Sequence, residues 1–357
     1  MYFNTSKTYW QYLRRMRSSP PPAVLGNDAR RGTFNAALEQ SEQLYTAATS
    51  VGMESKPILL YYGIYQAGRA IAAANPDRSC PWQLQGHGLK APNLSDRDRA
   101  PVRERQSLTD MVVRGTGRIQ EAYPTIARIL NSPDLTTEIK LGSLFALLDE
   151  TRTRTYSGGS SMFASLNDMP APLAVSVEAF ATRNGIDVLC INGLPASILQ
   201  AQNMQALVGE FLRRFYPQFN DQWEVGNIDN GSGLGRKGWL TLTRQGEITV
   251  KDSDYFTPAD EDRSALEREL GVRKPYFSFD DVVDPTLPEQ GRTLHRLCAW
   301  WAALFYLSMT ARYAPNAWTD DLNVDMSPHA VGLEQLLEFA LEEVPCLVGE
   351  VIESLAN

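Results

Sequence analysis

The chain has 357 residues, of which 43% are hydrophobic and 21% are charged, and its formal net charge is −8. This is ordinary globular usage, so a sizeable core is expected and the composition argues against wholesale disorder. The acidic balance disfavours non-specific binding to nucleic acid, which needs basic surface to displace counterions, although a local basic patch stays open. The length predicts two modules, or one domain with a large insertion.

The cysteine pattern and the apolar segments predict the cellular compartment of the protein. The 4 Cys lie far apart in the sequence and form no CxxC pair, so reduced, buried thiols are expected. The N-terminal residues lack the apolar core of a secretory signal. The longest apolar run, Leu297 to Met309, is too short to span a bilayer, which needs about 20 residues. We therefore expect a cytoplasmic protein without membrane association, cofactor or metal; with only 3 His, a histidine-rich metal site is not expected.

The N-terminal part is predicted to be helical. The spacing of apolar residues predicts helices over 7–17, 33–51 and 56–75, and the prolines after the first exclude its continuation. The third helix is the most pronounced. Its small residues recur at three- and four-residue steps, which lets a second helix approach closely. These residues are Gly63, Ala67, Ala70 and Ala74.

Residues 75–103 are predicted to form a loop, and helices return around 124–130 and 137–151. The middle of the chain then changes character. A helix is predicted over 196–215, between segments with strand patterns. The strand-like segments 239–243 and 247–250 flank a short turn, which predicts a hairpin. The predicted strands are 173–180, 187–191, 239–243, 247–250 and 276–279.

From Leu287 the pattern is helical again, first to Tyr313 and then from 328 to 355, where Pro345 is expected to kink or divide the last helix. The simplest assembly is an α+β fold. A helical core is built from N- and C-terminal segments, and a strand-rich central insertion separates them. The expected parts are a helical part over 1–155, a strand-rich middle over 170–282 and a helical part over 285–357 that packs on the first.

One polar group stands out on the most apolar of the N-terminal helices. Tyr62, Gln66 and Arg69 share one helix face, and a buried arginine is costly unless it is paired. In the following loop, His87 lies between two glycines and is a candidate acid–base group. His87 and Arg69 are the candidate catalytic residues, and Gln66 and Tyr62 are candidate ligand-binding residues. Alternatively, Gln66 and Arg69 bind loop carbonyls or acidic side chains, and His87 caps a turn.

A second candidate site lies at the end of the long C-terminal apolar helix. Arg312 is positioned to bind a phosphate or a carboxylate, and Asn316 follows it as a further candidate ligand-binding residue. The alternative is helix termination, with Arg312 hydrogen-bonded to the last carbonyl groups.

The remaining polar patterns are weaker. Arg292 and His295 are predicted to lie on one helix face, and His329 near a helix start. The glycine-rich segment 231–237 lacks the spacing of a phosphate-binding loop, and 156–160 lacks that of a nucleophile elbow. Two acidic clusters, at 149–150 and 260–262, are interpreted as solvated faces.

At these residues the sequence resembles the bacterial YaaC-like proteins. The resemblance is carried by KPILLYYGIYQAGRA over 56–70, by GHGL over 86–89 and by LFYLSMTARYAPNAW over 304–318. It spans most of the chain, although the middle is less distinct. It carries no activity, so function has to be argued from the residues.

The sequence is more distantly similar to HEPN-type helical domains, many of which have a tyrosine-led helix ending in arginine, like 61–69 here. That similarity implies a HEPN-like bundle. Some such domains are ribonucleases and others are non-catalytic partner modules. The nucleases place a histidine a short, fixed distance after an arginine. This sequence departs from that pattern: neither His87 nor His329 has an arginine close before it, and Arg292 precedes His295 too closely.

Two functions follow as expectations. The first is a non-catalytic interaction or regulatory protein, in a bacterial stress or phage-defence setting, with a protein partner or a second copy of itself. The second is a HEPN-like ribonuclease or nucleotide-processing enzyme. In that enzyme Arg69 and Arg312 would hold phosphate and His87 would transfer a proton. Whether the protein is an enzyme stays open at this point.

Overall fold

The computed structural model divides the chain into two compact units. One combines residues 1–148 with 294–357, and the other holds residues 149–293. The parts of the chain that the structure describes are 6–148, 170–182, 185–219, 221–228, 240–244, 260–276, 280–287 and 290–356.

The discontinuous unit is mainly helical. Its α-helices are α1 Ser6–Ser18, α2 Asp28–Ala48, α3 Lys56–Ala74, α4 Leu94–Arg99, α5 Ala122–Ile129, α6 Leu141–Leu148, α10 Arg296–Tyr313, α11 Pro315–Leu322 and α12 Ala330–Ala356. Its short 3-10 helices are η1 Pro22–Val24, η2 Val102–Glu104 and η3 Leu108–Asp110. A small antiparallel sheet joins three strands in the order β1-β2-β3, which are β1 Leu89–Lys90, β2 Val112–Gly115 and β3 Ile139–Lys140.

Helix α3 lies in the centre of this unit because glycines let its neighbours come close. A Cβ on Gly63 would lie 2.5 Å from the ring of Tyr45 on α2, and the Gly63 carbonyl accepts a hydrogen bond of 2.9 Å from Ser41. A Cβ on Gly68 would lie 2.2 Å from the ring of Trp301 on α10. Helix α3 is therefore packed between α2 and α10, and only glycine fits at these two contacts.

One buried arginine connects three helices of this unit. Arg296 forms a buried ion pair with Glu343 of α12 and donates to the Leu147 carbonyl at 2.9 Å. Trp300 donates to the same carboxylate at 2.9 Å. A buried charge is costly unless it is paired and hydrogen-bonded, and here both charges are. Helices α6, α10 and α12 thus share one polar contact inside an apolar core.

The second unit is built on an antiparallel sheet of six strands in the order β6-β7-β5-β4-β9-β8. Its strands are β4 Leu173–Thr182, β5 Gly185–Asn192, β6 Trp223–Ile228, β7 Leu240–Arg244, β8 Val272–Arg273, β9 Asp281–Val283 and the separate pair β10 Thr286–Leu287 and β11 Arg292–Thr293. Its helices are α7 Ala196–Leu199, α8 Met204–Phe215 and α9 Asp260–Leu270.

One face of this sheet forms the core of the second unit. Leu189 and Ile191 of β5 and Leu242 of β7 belong to a buried cluster that also includes Phe211 of α8 and Leu266 of α9. Alternate residues of a strand point to the same face, so Leu189 and Ile191 both reach the helices. Together the two units confirm the predicted α+β class, while the HEPN-like bundle stays a prediction.

Several predicted boundaries are wrong for physical reasons. Helix α2 begins at Asp28, because the Asn27 side chain accepts a hydrogen bond of 3.0 Å from the Arg30 amide and caps it. The predicted helix over 196–215 is two helices, α7 and α8. The predicted loop over 75–103 contains β1 and α4.

Arg292 and His295 do not share a helix face. Arg292 lies in β11, and His295 is the N-cap of α10, where its Nδ1 accepts a hydrogen bond of 3.1 Å from the Leu297 amide. Helix α10 therefore begins at Arg296 and not at Leu287. Pro345 lies inside α12 and does not divide it.

Some sequence predictions fall outside the described residues. They include the partner strand 247–250 of the predicted hairpin, most of the strand 276–279, the glycine-rich segments at 156–160 and 231–237, and the acidic pair at 149–150. Within the described residues, β7 pairs with β5 and β6.

Candidate functional site

The polar face of α3 is half-buried along one side of the discontinuous unit. Tyr62, Gln66 and Arg69 all have this intermediate exposure. Arg69 donates to the Gln66 amide oxygen at 3.2 Å, so these two side chains bind each other along the helix. Arg69 is also close enough to Tyr65 for its charge to act on that hydroxyl. Burial raises the pKa of Tyr65, and the positive charge of Arg69 opposes the rise.

The loop with His87 is held against α3 and α5 by its backbone. Gly86 and Gly88 both have positive φ, 53° and 79°, a conformation that glycine adopts without strain. The Gly86 carbonyl accepts a hydrogen bond of 3.1 Å from the Tyr65 hydroxyl, and the His87 carbonyl accepts one of 3.2 Å from the Tyr123 amide. The position of His87 relative to α3 is therefore fixed from both sides.

The imidazole of His87 is exposed but packs on one side against aromatic rings. Its ring centroid lies 5.8 Å from that of Tyr61, 6.0 Å from that of Tyr65 and 6.0 Å from that of Phe305. Its Nδ1 is 2.8 Å from the Tyr61 hydroxyl. This packing, and then the charge of Arg312, lower the pKa of His87, against a smaller opposite effect of Glu121. The imidazole is therefore neutral at neutral pH.

Burial also raises the pKa of Tyr61, so its hydroxyl keeps its proton. When this hydroxyl donates to Nδ1 of His87, the proton of the neutral ring is on Nε2, which is then a donor. In the other tautomer, Nδ1 donates to Tyr61 and Nε2 is an acceptor. The two arrangements differ in chemistry: the first suits ligand binding and the second suits a general base.

Arg312 ends α10 with its guanidinium held in place. It donates to the Tyr62 hydroxyl at 3.0 Å and to the Ser308 carbonyl at 3.2 Å, and it lies 3.1 Å from the Met309 sulfur. The guanidinium also lies 5.5 Å from the ring centroid of Tyr62 and 5.1 Å from that of Tyr313. Arg312 thus bonds a carbonyl of the last helical turn and also presents a half-buried cation.

These groups form one surface, which we name the tyrosine–arginine surface and define as Tyr62, Tyr65, Gln66, Arg69, His87 and Arg312, with the buried Tyr61 directly behind it. The structure brings His87, Arg312 and Tyr62 together from a loop and two helices. Asn316 lies exposed in the first turn of α11, and no described hydrogen bond joins it to this surface. The candidate site residues therefore form one group, with Asn316 outside it.

Sequence reasoning did not select Tyr61 and Tyr65 as site residues. Tyr61 is buried and binds His87, and Tyr65 holds the loop, yet on α3 both look like core residues. The signal available was the repeated tyrosine at positions 61, 62 and 65. A cavity of about 530 Å³ adjoins the loop at Gly86 and is lined by Glu121, among others, but by no residue of the tyrosine–arginine surface.

Among the described residues, no group of three or more His, Cys, Asp or Glu is arranged to hold a metal ion. In the same part of the chain, every helix is too short or too polar to cross a bilayer.

The fold and the site define a class of protein: an α+β chain whose helical unit is completed by its C-terminal segment and carries an aromatic, cationic surface. The sequence model of the YaaC-like protein family matches residues 2–352. The chain belongs to the YaaC-like family, and the resemblance found in its sequence is confirmed. The matched range includes both compact units and every residue of the tyrosine–arginine surface. No curated protein and no solved structure matches the chain.

Proposed function

We propose that this YaaC-like protein is a non-catalytic interaction or regulatory protein that binds a protein partner through the tyrosine–arginine surface. The observation that carries the proposal is the fixed position of Arg312 between two tyrosine rings while its guanidinium stays half-exposed. Tyrosine and arginine are enriched among the residues that contribute most to binding at protein interfaces, and a preorganised side chain loses little entropy on binding.

The hydrogen bonds within the surface favour binding over catalysis. Each polar group is paired inside the protein: Tyr61 with His87, Tyr62 with Arg312, and Gln66 with Arg69. A group that is already hydrogen-bonded within the protein is held in one position, which lowers the entropy lost when a partner binds. Such a surface recognises a partner by shape and charge.

The two cations define the partner's chemistry. Arg69 and Arg312 both lie on the tyrosine–arginine surface, and the exposed ring of Tyr313, 61% accessible, stacks against Arg312. A partner segment with an acidic side chain next to an apolar or aromatic one would complement this arrangement. We place the interaction in the bacterial cytoplasm, in a stress or phage-defence response.

The test is affinity purification from the native host, with quantitative comparison of three baits. Wild type and Arg31→Gln, an exposed arginine on α2 with no described side-chain hydrogen bond or ion pair, should retain one partner in common. Arg312→Gln should lose that partner while keeping its fold by circular dichroism. If all three baits retain the same proteins, or none retains any, the proposal fails.

A second candidate function is a HEPN-like ribonuclease or nucleotide-processing enzyme. The observation that favours it is His87, a neutral and exposed imidazole close enough to Arg312 for that charge to lower its pKa. An imidazole that is neutral near pH 7 can accept a proton, and the nearby arginine can hold a phosphate. In this alternative Arg69 binds phosphate beside Arg312.

The enzyme is tested by cleavage of an RNA pool with wild type, His87→Ala, Arg69→Ala and the Arg31→Gln control. Activity in wild type and the control, with a loss of at least about a hundredfold in His87→Ala, would support proton transfer by His87. No cleavage by wild type, or equal cleavage by all four proteins, would exclude the enzyme.

A further inference from the structure

The exposed apolar side chains of the discontinuous unit concentrate around α11. In the part of the chain that the structure describes, seven large hydrophobic residues are exposed, and four of them lie between residues 313 and 331. These four are Tyr313, Val324, Met326 and Val331. A fifth, Val102, lines one recess of about 260 Å³ together with Met326, so it borders the same patch. Exposed apolar residues are ordinary when scattered but mark an interaction site when they cluster.

Helix α11 turns one face to solvent in the middle of this patch. Pro315, Asn316 and Thr319 are exposed, while Ala317 and Trp318 are buried. Helical spacing places the three exposed residues on one side of α11. Asn316, which lies outside the tyrosine–arginine surface, is therefore part of an open helix face that adjoins it.

The two ends of α11 carry opposite charges. Arg312, a member of the tyrosine–arginine surface, lies three residues before the first residue of α11, Pro315. Asp325, which is exposed, lies three residues after the last one, Leu322. A helix of eight residues is about 12 Å long, so α11 itself spaces the cation from the anion.

The acidic end is an ordered turn over residues 323–326, which we name the Asp325 segment. The Asn323 side chain accepts a hydrogen bond of 3.0 Å from the Asp325 amide. The Asn323 carbonyl accepts bonds of 3.1 Å from the Met326 amide and 2.8 Å from the Ser327 amide. Asp325 is thus presented between Val324, 65% exposed, and Met326, 60% exposed. An acidic side chain flanked by apolar ones is the chemistry that complements the tyrosine–arginine surface.

We propose that the partner bound by the tyrosine–arginine surface is a second copy of this chain. The Asp325 segment of each copy binds the surface of the other, with Asp325 on Arg312. Val324 and Met326 pack against the exposed ring of Tyr313, which already stacks on Arg312. This inference rests on the proposed function, because it names the partner of that surface.

Two-fold symmetry follows from the placement of these groups. A two-fold interface uses the same patch on both copies, so the patch must complement itself. A patch with a cation at one end and an anion at the other meets this condition when the second copy is rotated by 180°. Both contacts then form in one closed dimer, and the two α11 helices lie antiparallel beside the symmetry axis.

The first experiment measures the oligomeric state of the purified full-length protein. Sedimentation velocity at concentrations up to about 100 μM should show a dimer of the wild type. Asp325→Arg places two cations together at both symmetric contacts and should weaken the dimer by at least about a hundredfold. The matched control is Glu210→Arg, an exposed acidic residue on α8 in the other unit, which should dimerise like wild type.

The second experiment exchanges the charges between copies. Arg312→Glu should also be monomeric, since it places two carboxylates at each contact. Mixed in equal amounts, Arg312→Glu and Asp325→Arg should form a heterodimer, in which one contact is that of wild type and the other has its two charges exchanged. If Arg312→Glu does not fold by circular dichroism, Asp325→Arg beside Glu210→Arg still decides, because Asp325 is exposed and outside the core.

Three results would overturn the inference. They are a wild type that stays monomeric throughout, a dimer that Asp325→Arg leaves intact, and two folded variants that remain monomeric when mixed. None of them decides the proposed function, whose own test then has to recover a different protein that Arg312→Gln loses.

Discussion

The tyrosine–arginine surface and the buried ion pair of Arg97 with Asp321 place arginine in opposite surroundings. At the surface Arg312 is half-buried, bound to a tyrosine hydroxyl and a carbonyl, and its remaining hydrogens can reach water. In the interior Arg97 is buried and paired with the carboxylate of Asp321, and one of its nitrogens has no described partner. Water satisfies leftover polar atoms at a surface but not in the interior. Removing one partner of a pair therefore costs little at the surface and much in the interior, where it leaves an uncompensated charge.

The largest expected effect is at the buried ion pair. Asp321→Ala removes the only described carboxylate bound to Arg97 and leaves an uncompensated charge in the interior. We expect the free energy of unfolding, measured by urea denaturation, to fall by about 3–5 kcal/mol. Glu138→Ala breaks the exposed pair with Arg114 and should cost at most about 1 kcal/mol. Equal losses in the two variants would remove the distinction between buried and exposed pairing.

The next effect concerns the packing behind the tyrosine–arginine surface. Gly68→Ala would place a Cβ 2.2 Å from the Trp301 ring and force α3 and α10 apart. We expect a loss of about 1–3 kcal/mol in the free energy of unfolding. Gly32→Ala, on α2, meets no atom within 4 Å and should instead stabilise by about 0.5–1 kcal/mol, because alanine favours helix. A neutral Gly68→Ala would show that α3 can move without cost.

A smaller effect is expected within the surface itself. Tyr62→Phe keeps the ring over which Arg312 lies but removes the hydroxyl that accepts its hydrogen bond. We expect a loss of about 0.5–1.5 kcal/mol by urea denaturation. Tyr313→Phe is the matched control, since no described hydrogen bond involves the Tyr313 hydroxyl, and it should match wild type. A loss as large as that of Asp321→Ala would place Tyr62 in the same class as the buried pair.

The smallest effect is a pH dependence at His87. Packing and the charge of Arg312 lower the pKa of His87 below its ordinary value of 6.5. Well above pH 6.5 the imidazole is therefore neutral in both the folded and the unfolded chain, and it does not reduce stability. As the pH falls through 6.5, the unfolded chain takes up a proton that the folded protein resists, and stability is lost. An NMR titration should give a pKa for His87 below 6.5, and Arg312→Gln should raise it while Arg31→Gln leaves it unchanged. An unchanged pKa of His87 in Arg312→Gln would show that the charge of Arg312 does not act on this imidazole.

His329 gives the corresponding measurement at a more deeply buried place in the same unit. Burial lowers the pKa of His329 too, and the charge of Asp110 opposes that shift. The two sites differ in exposure, because His329 is only 7% exposed and His87 is an exposed residue. The loss of stability on acidification therefore has the same sign at both histidines. Measuring the free energy of unfolding of His87→Asn and of His329→Asn across the pH range would show how much of the loss on acidification belongs to each histidine.

Local patterns predicted the long elements well. The third helix was expected over 56–75 and is observed as Lys56–Ala74, because its apolar and small residues repeat at helical spacing over five turns. The predicted strands 173–180, 187–191 and 239–243 correspond to β4, β5 and β7. Strand β6, helix α9 and the shortest elements are not predicted from the sequence. A strand of two residues such as Leu89–Lys90 has no period to detect, and it forms only because a distant strand pairs with it.

The candidate site was predicted in part. The sequence by itself determined the α+β class, the helix that carries Tyr62, Gln66 and Arg69, and the unusual glycines around His87, since each depends on neighbouring residues. Only the tertiary structure decided that Tyr61 holds His87, that Tyr62 holds Arg312, and that α4 is joined to α11 by the pair of Arg97 with Asp321. Such contacts join residues that are far apart in the chain, and whether a polar atom is satisfied depends on what the fold places beside it.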